Sequence, residues 1–231
     1  MDSPFKGLTV VFDLDGTIAD TAPDLIRATN DALEEAGYPH ATETAIRPAV
    51  AFGARAMVTA ALRSLGHEPE QAEIDRLTES MVRFYVDDIA AGTALFPGFA
   101  GALDELERRG ARAGLCTNKR EAPARKLLAE LGVLHRFKGL AGGDTHPFRK
   151  PDPRHVLAVV EAAGGDPGHA VMVGDTDVDV AAAHAAGMPV IAVDFGYGSI
   201  PAEELGAEAV ISHFSQLVPR LGDILSAKNS V

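Results

Sequence analysis

The chain has 231 residues, which is enough for one large domain or for a domain that carries an insertion. Its formal net charge of -12 argues against nucleic acid as the main partner, because the phosphate backbone attracts basic faces. A single cysteine, Cys116, excludes an internal disulfide framework and a cysteine-rich zinc site. No apolar run approaches the roughly 18 residues of a membrane span, and the first residues lack a signal-peptide pattern, so we expect a cytoplasmic protein with no membrane partner.

The first predicted element is a buried strand that ends in acidic residues. Residues 10–12 are apolar, and the sequence Asp-Leu-Asp-Gly-Thr, 13–17, follows at once. Side chains alternate along a strand, so Asp13 and Asp15 can point the same way. Two neighbouring carboxylates repel each other unless a cation or a shared proton relieves them, and hard oxygen ligands suit Mg²⁺. The pattern indicates a metal site with a carboxylate nucleophile, although a solvated loop after a strand fits this motif alone equally well.

The segment from about residue 20 to residue 92 is predicted to be helical. Three helices are expected, at Ala22–Ala36, Ala54–Leu65 and Pro69–Ala91, and we find no clear strand pattern between them. A helical block between the first strand and the rest of a sheet indicates an inserted cap. We therefore predict an α/β core of residues 1–16 and 94–231 and a helical cap of residues 17–93.

Apolar runs and helical patterns alternate after about residue 95, which indicates a mostly parallel sheet with helices on both faces. Ligands of such sheets bind outside the carboxyl ends of the strands. The expected strands are Arg112–Thr117, Phe137–Ala141, His169–Val173, Pro189–Val193 and Ala209–Ser212. The expected helices are Ala122–Leu131, Pro153–Ala163 and Val178–Ala186.

Polar residues follow two of these strands and precede a helix. Thr117 and Asn118 offer a hydroxyl, an amide and backbone N–H groups that suit a phosphate oxygen, although a turn with a helix cap explains them too. Lys150 precedes Pro151, which restricts the backbone and can direct the ammonium group toward a site; a surface lysine is the simpler alternative.

A third strand end is crowded with acids. Asp175, Asp177 and Asp179 follow the apolar strand that ends at Val173. A purely structural explanation is that the partial positive charge of a helix N-terminus stabilises acids near it. Three acids at one strand end are more than capping requires, so we expect a functional role for some of them.

The order of these motifs resembles that of the haloacid dehalogenase superfamily. The motifs are Asp-x-Asp-Gly-Thr, Thr-Asn, Lys-Pro and Gly-Asp-x-x-x-Asp, and they span nearly the whole chain. The resemblance implies a Rossmann-like core with an inserted helical cap. It also implies that Asp13 is the nucleophile that forms an aspartyl-phosphate, that Asp15 is the general acid/base, and that Lys150 neutralises negative charge.

The resemblance assigns the remaining motif residues as well. Thr117 and the backbone N–H of Asn118 would bind phosphoryl oxygens. Asp13, Asp175 and the backbone carbonyl of Asp15 would ligate Mg²⁺, and Asp179 would bind a metal-bound water or orient the groups around the metal. Asp177 matches no position of the superfamily.

Secondary signatures favour one branch of the superfamily. Asp15 argues against the dehalogenases, and Thr17 together with Thr117-Asn118-Lys119 resembles phosphoglycolate phosphatases rather than β-phosphoglucomutases. The expected substrate is therefore a small phosphorylated metabolite, most simply 2-phosphoglycolate. Another sugar-phosphate or pyrophosphate phosphatase, a mutase and a non-catalytic binding protein are the alternatives. No obligate protein partner is evident.

Substrate selection is expected from three further residues. Gly53 and Arg55 lie at a loop-to-helix transition of the predicted cap, where Arg55 can meet a substrate carboxylate or can be an ordinary surface residue. Lys119 can face the leaving group.

Overall fold

The structure is a computed structural model, and it describes residues 4–228. The chain folds into two compact units. One unit, which we call the core unit, comprises Met1–Ala19 and Leu95–Val231, and the other, which we call the helical unit, comprises Asp20–Ala94.

The core unit contains a six-stranded sheet in which every neighbouring pair of strands is parallel. The strand order is β5-β4-β1-β6-β7-β8. Two-residue strands, β2 and β3, pair with each other where the chain passes between the units. The strands are β1 Thr9–Phe12, β2 Ala19–Asp20, β3 Ala94–Leu95, β4 Arg112–Cys116, β5 Phe137–Ala141, β6 Ala170–Gly174, β7 Val190–Val193 and β8 Ala209–Ile211.

The central position of β1 brings several strand ends together. Phe12 pairs with Leu115 of β4 and with Val173 of β6, so these three strands end at the same edge of the sheet. Every residue of β1 is buried, as expected for a central parallel strand. Residues that directly follow β1, β4 and β6 are therefore neighbours.

The helical unit consists of helices α1 to α4, among which α1 packs along α4. Asp24, in the first turn of α1, is buried and accepts hydrogen bonds from the N–H groups of Gly92 and Thr93 at 3.0 and 2.8 Å. The two ends of this unit are thereby joined. The helices are α1 Ala22–Glu35, α2 Glu43–Ile46, α3 Ala54–Ser64 and α4 Gln71–Asp87.

Helices cover both faces of the core sheet. Neighbouring residues of β1 point to opposite faces, so the partners of Val11 and Phe12 show which helices pack on each face. Val11 packs in one cluster with Val156 of α7 and Val180 of α8. The ring of Phe12 packs edge-on against Phe99 of α5, with 5.4 Å between the ring centroids. The core helices are α5 Phe99–Arg108, α6 Glu121–Glu130, α7 Pro153–Ala162, α8 Asp177–Ala185 and α9 Leu217–Lys228.

The predicted fold class, an α/β fold with a mostly parallel sheet, is confirmed. Helices α5 and α9 were not predicted, and α4 is shorter than the expected Pro69–Ala91. The two-residue strands β2 and β3 are too short to produce a periodic pattern. Within residues 4–228, no helix is both long enough and apolar enough to cross a membrane.

Candidate active site

Asp13 directly follows β1 and is nearly buried. Its N–H group donates to the carbonyl oxygen of Val173 at 3.0 Å, which continues the pairing of β1 with β6. Its Oδ1 atom lies 2.8 Å from Nζ of Lys150. Burial raises the pKa of Asp13 to about 6, since the attraction of Lys150 offsets only part of the desolvation and Asp179 adds repulsion.

Lys150 is a buried cation between two carboxylates, with only 3% of its surface exposed. Its Nζ atom donates to Oδ1 of Asp179 at 2.6 Å and contacts Asp13. Burial alone would lower the pKa of Lys150, but the two carboxylates raise it above its ordinary value. Lys150 is therefore charged, and the peptide bond that joins it to Pro151 is cis.

Asp175 follows β6, and its two carboxylate oxygens have different donors. Oδ1 accepts from the Thr17 hydroxyl at 2.9 Å, and Oδ2 accepts from the N–H group of Tyr197 at 2.8 Å. Burial, together with repulsion from Asp179 and Asp13, raises the pKa of Asp175 to about 8. The orientation of this carboxylate is thus fixed, while its negative charge is poorly compensated.

Asp179 has both oxygens engaged. Oδ2 accepts from the N–H groups of Asp175 and Thr176, at 3.2 and 3.1 Å, and from the Thr176 hydroxyl at 2.7 Å. The contact with the N–H group of Thr176 is one half of the capping box that begins α8, and the Thr176 side chain, which accepts from the backbone of Asp179, is the other half. Oδ1 accepts from Lys150. The same fully buried side chain therefore begins a helix and binds the cation.

Asp13, Asp175 and Asp179 form an acidic cluster. One oxygen of each carboxylate lies within 4.8 Å of those of the other two. Carboxylate oxygens are the ligands that Mg²⁺ prefers. The raised pKa values of Asp13 and Asp175 reflect repulsion and burial that a divalent cation would relieve, so these residues fit such an ion.

Thr117 and its neighbours follow β4 at the same edge of the sheet. Thr117 is buried, and its hydroxyl accepts from the N–H group of Lys119 at 3.1 Å. The Asn118 side chain donates to the carbonyl oxygen of Lys150 at 3.0 Å. Nζ of Lys119 donates to both carboxylate oxygens of Asp15, at 2.9 and 3.2 Å. The structure thus connects this segment with Lys150 and with Asp15.

The other two predicted site residues belong to the helical unit. Gly53 has a φ of 85° and precedes α3, and Arg55 lies in the first turn of that helix. Arg55 is about half exposed and forms an ion pair with Asp75 of α4. Their contact with a substrate stays a prediction.

Sequence reasoning missed the segment after β7. A Cβ atom at Gly196 would lie 2.3 Å from Cβ of Asp175, and one at Gly16 would lie 2.5 Å from Oδ2 of Asp175. Only glycine permits these approaches. The Gly-Tyr-Gly sequence at 196–198, close after an apolar strand, was the available signal.

The chain belongs to the haloacid dehalogenase-like hydrolase family, whose model matches residues 8–187. It is similar to a phosphoglycolate phosphatase of Mesorhizobium japonicum, with 41% identity over 216 residues that cover 94% of this chain and 95% of that protein. The predicted family, the resemblance to phosphoglycolate phosphatase and the enzyme class, phosphoric monoester hydrolase, are confirmed.

Two solved structures share the fold. One is that of a predicted phosphoglycolate phosphatase from Haemophilus somnus, with a TM-score of 0.84, 25% identity and coverage of 93% of this chain and 97% of that one. The other is a mutant of CbbY from Rhodobacter sphaeroides in complex with xylulose-(1,5)bisphosphate, with a TM-score of 0.74, 25% identity and coverage of 92% of this chain and 98% of that one.

Proposed function

We propose that this protein is an Mg²⁺-dependent phosphatase that hydrolyses a small phosphomonoester, first of all 2-phosphoglycolate, through an aspartyl-phosphate. The observation that carries the proposal is the contact of 2.8 Å between Oδ1 of Asp13 and Nζ of Lys150, beside Asp175 and Asp179. This arrangement combines a carboxylate nucleophile, a fixed cation and ligands for a divalent ion.

The proposed reaction has two steps, which use Asp13 and Asp15. An oxygen of Asp13 attacks phosphorus, and the bond from phosphorus to the leaving oxygen breaks while Asp15 donates a proton to that oxygen. Asp15 then takes a proton from a water molecule, whose oxygen attacks phosphorus and releases inorganic phosphate and the Asp13 carboxylate. Lys150 neutralises negative charge between Asp13 and the phosphoryl group, as phosphoryl transfer requires.

The metal and the phosphate have distinct proposed ligands. Asp13, Asp175 and the backbone carbonyl of Asp15 would bind Mg²⁺, and Asp179 would orient the groups around it. When bound, Mg²⁺ supplies positive charge that lets an anionic carboxylate approach an anionic phosphate. Thr117 accepts from the N–H group of Lys119, so its own hydroxyl proton can be donated to a phosphoryl oxygen together with the N–H of Asn118.

The substrate proposal depends on Lys119 and on the relatives. Nζ of Lys119 lies beside Asp15, the residue proposed to protonate the leaving oxygen, so a leaving group with a carboxylate would meet a positive charge there. The helical unit is proposed to act as the cap, in which Gly53 and Arg55 would bind the substrate, Arg55 through a carboxylate. A sugar phosphate is the second candidate, because the CbbY mutant was solved in complex with xylulose-(1,5)bisphosphate. The cytoplasmic location stays a prediction.

A substrate panel with and without Mg²⁺ tests the proposal. It includes 2-phosphoglycolate, xylulose 1,5-bisphosphate, glucose 1-phosphate and pyrophosphate. We expect the highest kcat/KM with 2-phosphoglycolate and a loss of at least about 10⁴-fold in the Asp13→Asn variant. The matched control Asp177→Asn changes an exposed acid at the start of α8 and should keep its rate.

The panel also has outcomes that contradict the proposal. They are an Asp13→Asn variant that keeps its rate, no phosphate release from any ester, and interconversion of sugar-phosphate isomers without phosphate release, which is mutase activity. Adding 2-hydroxyethyl phosphate, in which a hydroxymethyl group replaces the carboxylate, tests Lys119. Lys119→Met should reduce kcat/KM about tenfold more for 2-phosphoglycolate than for this analogue, whose leaving group carries no carboxylate.

A further inference from the structure

His155 is a fully buried titratable residue that the proposed reaction does not use. It lies on α7, where the other buried positions carry Val156, Val159 and Val160. A buried imidazole is costly unless both ring nitrogens have hydrogen-bond partners. An apolar residue would serve the packing of α7 without that cost, so the polar contacts of His155 need an explanation.

Both ring nitrogens of His155 contact backbone groups of the active-site edge. Nδ1 accepts from the N–H group of Lys150 at 3.2 Å. Nε2 lies 3.1 Å from the carbonyl oxygen of Gly142, which directly follows β5. A carbonyl oxygen only accepts, so Nε2 carries the proton and the ring is the neutral tautomer.

Burial and the positive charge of Lys150 support the neutral form, because together they lower the pKa of His155 to about 4. The nearby groups are His146, with a ring centroid 6.5 Å away, and Asp152, whose attraction is the weaker effect. The imidazole therefore keeps one donor and one acceptor at neutral pH.

These contacts make His155 a link between the proposed cation and the proposed phosphate-binding segment. The backbone of Lys150 is bound on both sides, at its N–H by His155 and at its carbonyl by Asn118. Gly142 is followed by Gly143, whose N–H donates to the carbonyl of Lys119 at 2.8 Å. A Cβ atom at Gly143 would lie 2.3 Å from the carbonyl oxygen of Asn118, so this connection is tightly packed.

We propose that His155 is a positioning residue, which fixes the backbone of Lys150 relative to the Gly142 turn and the Thr117–Lys119 segment. It acts through Lys150 and does not touch the substrate. This inference rests on the proposed role of Lys150. If it is correct, the acceptor at the Nδ1 position carries most of the kinetic effect, because it is the atom that contacts Lys150.

Three variants separate positioning from packing. In His155→Asn the amide oxygen can replace Nδ1, in His155→Gln the amide can replace Nε2, and His155→Leu removes both. We expect kcat for 2-phosphoglycolate, and for p-nitrophenyl phosphate, to fall ten- to a hundredfold in His155→Leu and His155→Gln. His155→Asn should stay within about threefold of the wild type. The inhibition constant of orthophosphate should rise in the two slow variants, because a displaced Lys150 binds phosphate less well.

Val156→Ala is the matched control, since Val156 is the next residue of α7 and is buried without polar contacts in its side chain. It should lower the Tm and leave kcat and the orthophosphate constant unchanged. The inference is overturned if His155→Leu loses only stability, or if His155→Asn and His155→Gln have equal rates, a comparison that holds even when His155→Leu fails to fold. A Lys150→Gln variant that keeps its rate would overturn the role of Lys150 and this inference with it, whereas a slow Lys150→Gln beside a fast His155→Leu overturns this inference alone.

Discussion

Charged residues at the sheet edge of the core unit and charged residues on the helix surfaces of the helical unit have opposite environments. At the sheet edge, Asp175 is 3% exposed and accepts from Thr17, a residue 158 positions earlier in the chain. In the helical unit, Arg47 pairs with Glu43 only four positions away, and their side chains are 43% and 60% exposed. The contact of Asp175 with Thr17 depends on the tertiary fold, whereas the pair of Arg47 and Glu43 forms within a short stretch of the chain.

The difference separates the groups that are proposed to perform chemistry from groups that keep a surface solvated. The pKa values of Asp13 and Asp175 at the sheet edge are raised, because burial and repulsion from neighbouring carboxylates disfavour their charged forms. Exposed pairs along a helix contribute little to stability and tolerate exchange. Substitutions of matched residues in the two units should therefore differ strongly in effect.

The largest contrast is expected between two glycines with the same φ of 82°, Gly16 and Gly37. Gly16→Ala places a methyl group 2.5 Å from Oδ2 of Asp175, whereas a Cβ atom at Gly37 meets no atom within 4 Å. We expect kcat to fall about a hundredfold in Gly16→Ala, because Asp175 must move. Gly37→Ala should cost about 1 kcal/mol of stability, from the strained φ alone, with kcat unchanged. Steady-state kinetics and urea unfolding of both variants measure these effects. Equal kcat values for Gly16→Ala and Gly37→Ala would contradict the prediction.

A second contrast concerns pH in metal-free protein. Burial raises the pKa of Asp13 to about 6 and that of Asp175 to about 8, above their ordinary value of 3.8. The folded protein therefore retains protons that the unfolded chain has lost, so the free energy of unfolding should fall as pH rises from about 4 to about 8. We expect a total fall on the order of a few kcal/mol.

Urea unfolding in the presence of a chelator measures this pH dependence. Asp175→Asn should flatten it, and Mg²⁺ should stabilise the wild type more at pH 8 than at pH 5, since both carboxylates must be ionised to bind the ion. A control exchange in the helical unit, Asp75→Asn, should leave the slope unchanged. A wild-type protein whose stability rises over this range would contradict the assignment.

The smallest effect on stability is expected for Arg55→Ala. Arg55 forms an exposed pair with Asp75, so its removal should change the free energy of unfolding by less than about 1 kcal/mol. If Arg55 contacts the substrate carboxylate, KM for 2-phosphoglycolate should rise about tenfold while KM for 2-hydroxyethyl phosphate stays the same. An unchanged KM for 2-phosphoglycolate would indicate the alternative, that Arg55 is an ordinary surface residue.

The α/β fold and the proximity of several candidate site residues could be predicted because both depend on local patterns. Asp13 and Asp175 follow apolar strands, and parallel strands end at one edge of the sheet, so their proximity follows from the sequence. Helix α5 buries Phe99, Ala102, Leu103 and Leu106 at helical spacing, so the sequence contains a signal for this helix as well.

Other features depend on contacts that no local pattern contains. The donation from the N–H of Tyr197 to Asp175 arises from a turn more than 20 residues later, and the pattern of α7 gives His155 the same inward position as a valine. Sequence spacing could not show that the ammonium group of Lys119 donates to the carboxylate of Asp15, because the two residues are 104 positions apart. The roles of the predicted site residues stay predictions until the substituted enzymes are measured.

The double engagement of Asp179 fixes the length of the chain between β6 and α8. One additional residue in that turn would rotate the start of the helix by about 100° and carry the carboxylate away from Lys150. Asp177 is exposed and looks like a convenient place for a tag or a grafted loop. Any insertion there would change the register of the helix against the sheet edge that carries the candidate site. A protein engineer can therefore substitute residues in this turn but cannot lengthen it.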